Sequence, residues 1–105
     1  MKVELYYLDG CPSWQRAREN LERALQLEQL SVQVEAILVA DSADVQLKRF
    51  IGSPTIRLDG VDIEGPGAET RGYGYGCRVY ADGTCTAGWP SVNQVRRALQ
   101  RERRN

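Results

Sequence analysis

Residues 8–21 read LDGCPSWQRARENL and set a cysteine where an extended run gives way to a helix. Ahead of that stretch, Val3, Leu5 and Tyr7 alternate with Glu4 and Tyr6, a period-two pattern that predicts a strand closing on an Asp9-Gly10 turn. Behind it, Trp14, Ala17, Leu21 and Leu25 recur at helical spacing among charged residues, so a helix of about four turns should bury one face. Pro12 suits the first helical position, where its missing N–H removes no bond. Cys11 is therefore expected at the helix N-terminus, where unpaired N–H groups and the positive end of the dipole favour a thiolate. Asp9 works the other way, because a neighbouring carboxylate disfavours a second negative charge. Three residues on, where a Cys-x-x-Cys pair would carry its second sulfur, stands Trp14.

Outward from this stretch the pattern continues to alternate. SVQVEAILVA (31–40) is β-rich and nearly continuous at Ile37-Leu38-Val39, which predicts a strand buried on both faces. Asp41 or Ser42 can cap a second helix with Ala43, Leu47 and Phe50 inward, stopped by Gly52. TIRLDGVDI (55–63) sets Asp59-Gly60 between two β-compatible runs, a hairpin signal. GPGAETRGYGYG (65–76) holds five glycines without apolar periodicity and reads as an irregular loop carrying Tyr73 and Tyr75. CRVYADGTCTAG (77–88) repeats the hairpin signature, with Asp82-Gly83 as the turn and Tyr80 opposite Cys85. In that register Cys77 and Cys85 lie on opposite faces and are not expected to bond to each other. Ser91 and Gln94 match a capping box, and Val92, Val95 and Leu99 form the inward stripe of a last helix.

With 105 residues, 42% of them hydrophobic, the chain fits one domain with a modest core. There is no histidine, which excludes Ser-His-Asp and Cys-His catalysis and every His-containing metal site. Three cysteines cannot all pair within one molecule, so at least one thiol is free and any chemistry belongs to sulfur. The N-terminal run is too short and too weakly basic for a signal peptide, and no segment approaches a membrane span, so a cytoplasmic protein without membrane contact is expected. The net charge of zero hides an asymmetry: residues 1–70 carry twelve acids and seven bases, residues 71–105 two acids and seven bases. Arg96, Arg97, Arg101, Arg103 and Arg104 read as the solvated end of the last helix rather than as a nucleic-acid surface.

The order βαβαββα, with Cys11-Pro12 opening the first helix and Ser53-Pro54-Thr55 before the third strand, resembles the thioredoxin superfamily. GCPSW (10–14), GSPTI (52–56) and GYG followed by CRVY (72–80) are similar to a group of small bacterial thioredoxin-like proteins. The resemblance implies an α/β thioredoxin-like sandwich: a four-stranded mixed core sheet plus a hairpin inserted before the last helix. It further implies a cis Ser53–Pro54 bond that presents the backbone of Ser53 to whatever binds at Cys11. In that topology the third strand starts beside Cys11 and the fourth returns to the same end, which brings the start of the glycine-rich loop near the thiol.

Trp14 removes the local dithiol. Cys11 and Cys77 are then the candidate catalytic residues, with Pro12, Trp14, Ser53, Pro54, Tyr73 and Tyr75 as candidate substrate-binding residues. Trp14 reads first as core and otherwise as a wall beside the thiol. A thiol–disulfide oxidoreductase would attack through Cys11 and resolve through Cys77 or an external thiol, with protein or small-molecule thiols and disulfides as partners and neither metal nor cofactor. The same sulfurs would serve a soft-metal or mercurial-binding module, since thiolates select soft ions. A non-catalytic thioredoxin-like interaction domain is the third possibility. The alternative for Cys11 itself is an inert buried cysteine inherited from the fold.

Overall fold

Strand β1 (Val3–Tyr7) is the centre from which the fold is built. The structure, a computed structural model, describes residues 1–83 and 85–104, with the side chains of Glu69, Arg71 and Cys85 outside that description. After β1 come helix α1 (Trp14–Leu27), strand β2 (Val34–Leu38), helix α2 (Ser42–Lys48), strands β3 (Thr55–Leu58) and β4 (Val61–Asp62), a 3₁₀ turn at Ala68–Arg71, strands β5 (Tyr80–Asp82) and β6 (Cys85–Ala87), and helix α3 (Val92–Arg103). Among the described residues the fold is mixed α/β with three α-helices and a four-stranded mixed sheet ordered β2-β1-β3-β4. β1 pairs parallel with β2 and antiparallel with β3, and β4 returns antiparallel through the Asp59-Gly60 turn. β5 and β6 form a separate two-stranded sheet.

Alternation along β1 divides the core. Val3 and Leu5 join Ile56 and Leu58 in one cluster with Ala17, Leu21 and Leu25 of α1 and Val95, Ala98 and Leu99 of α3. Tyr6 faces the other way, into a smaller cluster with Leu8, Cys11, Val39, Val45 and Phe50. Trp14, half-buried, packs against both. Asp9-Gly10 makes the expected turn: the Cys11 N–H donates to the Leu8 carbonyl at 3.1 Å, and Gly10 takes φ 81°. Ser53–Pro54 is cis, as the resemblance implied.

Four expectations need correction. Pro12 is not in the helix: Ser13 is the N-cap of α1, so Cys11 lies two residues ahead of the cap. β2 is an edge strand, and Leu38 is 43% exposed; the apolar run there reflects Val39, which turns into the smaller cluster. α2 is capped by Asp41 but ends before Gly52, at Arg49 in the left-handed conformation (φ 56°). The closing turn, with the Phe50 N–H on the Val45 carbonyl at 3.0 Å, swings Phe50 inward and leaves Ala43 and Leu47 exposed. Last, Tyr80 pairs with Ala87, two positions beyond its expected partner Cys85, and Asp82, expected in the turn, pairs with Cys85 instead. Gly83 rather than Asp82 takes the first turn position (φ 64°), and Thr84 is outside the described residues.

The arginines of α3 are tethers. Ser91 and Gln94 complete the capping box. Arg96 and Arg103 both reach Glu28 at the end of α1, Arg97 pairs with Asp82, and Arg101 donates to the carbonyls of Asp62 and Ile63. The Arg96 hydrogen bond holds the Glu28 carboxyl below its ordinary range, Ser91 and Arg97 do the same for Asp82, and Lys48 and the Ala40 N–H for Asp44. Carboxyls lowered by folding add stability above their unfolded-state range and lose it as pH falls through the folded values. The urea midpoint should therefore drop between roughly pH 5 and pH 2, and Glu28→Gln should flatten that drop. An equally steep profile in the variant would remove Glu28 from the account.

Candidate functional site

Cys11 sits at the exit of β1, 8% exposed, among the apolar side chains of the smaller cluster. Its neighbourhood is fixed by Tyr7, whose ring stacks on Trp14 with centroids 4.2 Å apart and 21° between planes. On the far side of α1's first turn the chain after β6 comes close: a Cβ on Gly88 would meet the Ser13 hydroxyl, and Arg16 lies over the Trp89 ring at 5.2 Å. Trp14 is thus core on one side and a wall of the thiol's cluster on the other. Pro12 is exposed.

Ser53, 1% exposed, holds three segments together. Its hydroxyl accepts from the Leu8 N–H at 3.1 Å, at the end of β1. Its own N–H donates to the Gly76 carbonyl at 2.8 Å, and its carbonyl accepts from the Arg78 N–H at 2.9 Å. Those two bonds make a parallel bridge between Ser53 and Cys77. The sequence placed Cys77 near the Cys11 end of the sheet, and β4 does return there, with the Ile63 N–H on the Ile56 carbonyl. The backbone of Ser53 is not open to an incoming ligand, however, because the chain's own residues 76–78 already occupy it.

These residues belong to a strap. Gly74 N–H donates to the Phe50 carbonyl at 3.0 Å, and the Tyr80 hydroxyl donates to the carbonyl of the buried Pro54 at 2.6 Å. Tyr75, Cys77 and Val79 are exposed at alternate positions, while Arg78 and Tyr80 are buried. Gly52 allows the close approach: its φ of 133° is left-handed territory, and a Cβ there would lie 3.1 Å from the Arg78 Cβ. Tyr73 accepts from Arg49 Nε at 3.2 Å, and with Tyr75 it lines a cleft of about 200 Å³ against Ser42, Val45 and Gln46 of α2. The two tyrosines do line a cleft, but one facing α2.

The anchor of the strap is Arg78, which the sequence did not single out. Its side chain is 3% exposed and grips Asp62 of β4 with both Nη atoms, at 2.7 and 2.8 Å. It also reaches Glu64 and the Thr55 hydroxyl and lies over the Tyr80 ring at 4.5 Å. Burial opposes its charge, but the hydrogen bonds to Asp62 and Glu64 and the proximity of Tyr80 outweigh that and raise its pKa. No sequence signal points to this pair, since an arginine and an aspartate in separate hairpin runs look like ordinary solvent-facing residues.

Cys11 and Cys77 are both free thiols, the first buried and the second exposed. Each is open in principle to thiol chemistry, namely exchange with a disulfide or alkylation, and Ser53 ties the segment before Cys11 to the segment that holds Cys77. Among the described residues no group of three or more His, Cys, Asp or Glu side chains is placed to hold a metal ion, and no helix is long and apolar enough to cross a membrane. No family model, curated protein or solved structure matches the chain.

Proposed function

We propose that the chain is a thioredoxin-like thiol protein that exchanges disulfides through Cys11 and Cys77. The observation that carries this is the Ser53 clasp, which bonds the segment leading into Cys11 through its hydroxyl and the segment holding Cys77 through its backbone. The sheet order β2-β1-β3-β4, with α1 and α3 over one face and the α2-side cluster on the other, supports the thioredoxin-like arrangement.

In the reaction two thiols become one Cys11–Cys77 disulfide, and the two electrons and two protons they give up convert an external disulfide into two thiols. Because Ser53 is already bonded on both sides, a polypeptide cannot add a strand there while the strap is in place. Mild oxidation followed by peptide mapping should yield a Cys11–Cys77 link. A wild-type protein that forms only mixed disulfides, or a Cys77–Cys85 link, would refute the pairing, since a bridge needs Cα atoms within roughly 7 Å.

A further inference from the structure

The burial of the two sulfurs assigns them an order, and we propose that Cys77, not Cys11, is the sulfur that first meets an external disulfide of low molecular weight. This rests on the pairing proposed above and reverses the roles expected from the sequence. Cys11 is 8% exposed and shares its cluster with Tyr6, Leu8, Val39, Val45 and Phe50, so it offers an incoming disulfide far less surface than Cys77 does. Cys77 is exposed on the outward row of the strap, between Tyr75 and Val79, which are 55% and 65% exposed. Exchange rates follow access to the attacking sulfur as well as its ionisation.

The strap also limits what can enter. A polypeptide substrate would need backbone partners, and the pair that the resemblance would offer it, the N–H and carbonyl of Ser53, is engaged by Gly76 and Arg78. A small disulfide needs none. In the first step the Cys77 thiolate attacks one sulfur of the disulfide, whose S–S bond breaks. One thiolate leaves and takes up the proton Cys77 gave to solvent. In the second step the Cys11 thiolate attacks the Cys77 sulfur, the mixed S–S bond breaks, and the remaining half leaves as a thiolate that takes up the proton Cys11 gave to solvent. Cys11 thus works as the resolving sulfur, for which burial is an advantage because it offers external disulfides less surface.

The probe is hydroxyethyl disulfide, with released thiol followed in time and adducts located by peptide mapping. Cys11→Ser should stop at a mixed disulfide on Cys77 with one thiol released. Cys77→Ser should release thiol about tenfold more slowly than wild type, in line with the dependence of thiol exchange on access. Cys77→Ala, compared by circular dichroism, guards against a folding effect of the serine. A first adduct on Cys11 in wild type, or a wild-type rate in both Cys77 variants, overturns the order while leaving the pairing intact. A Cys77 adduct that never proceeds to the Cys11–Cys77 link supports the entry role and sinks the pairing.

Discussion

Replacing Arg78 with methionine should destabilise the fold by about 3–5 kcal/mol, the range for breaking a buried ion pair by removing one partner. The loss comes mainly from what is left behind. Asp62, with a side chain 4% exposed, loses both hydrogen bonds to the guanidinium and is left without its counter-ion among buried atoms, while Thr55 loses a further donor. Removing both charges should therefore recover much of the loss: Arg78→Met with Asp62→Leu is expected to be more stable than Arg78→Met alone. Urea denaturation of the two single variants and the double variant measures this as a cycle. A single-variant loss under about 1 kcal/mol, the range of an exposed pair, would refute the buried-pair account. The functional consequence is equally direct, because Arg78 follows Cys77 and its N–H is one of the two bonds to Ser53. With the side chain no longer anchored, the strap should leave Ser53 more often and the Cys11–Cys77 link should form more slowly.

What the sequence makes legible and what it hides divide along a physical line. Local signals read correctly: the alternation of β1, the stripe of α1, the Asp59-Gly60 turn and the capping box of α3 all depend on residues within a few positions of each other. Non-local placement does not. The apolar run of β2 suggests burial on both faces, yet its position at the sheet edge is set by which strands pair, and that is decided by β3 inserting on the other side of β1. α2 misleads because a left-handed Arg49 breaks the helical phase, so Leu47 faces solvent while Phe50, in phase with it on paper, is buried. At the candidate site the segments carrying Cys11 and Ser53 follow from the expected topology. The occupation of Ser53 by residues 76–78 does not, because it depends on a side-chain pair between Arg78 and Asp62 that no spacing rule encodes.

Phe50→Ala should cost about 3–5 kcal/mol, the range for truncating a buried phenylalanine, and should open Cys11 to labelling. Phe50 is fully buried at 0% exposure and is the largest purely apolar side chain of the α2-side cluster. Leu47, the nearest apolar residue of the helix before it, is 81% exposed and turned away from the space that would be left, so the gap should not be filled by a simple rotamer change. The cluster that loses the ring is the one holding Cys11, whereas Cys77 is already exposed. Alkylation by a small maleimide, resolved by peptide mapping, should therefore accelerate at Cys11 while the rate at Cys77 stays close to wild type. Phe50→Leu, which keeps most of the volume, should fall between the two in both stability and labelling. If Phe50→Ala labels Cys11 no faster than wild type although the protein is destabilised, burial by this cluster is not what limits access to the sulfur. The order of attack argued from that burial would then lose its physical basis.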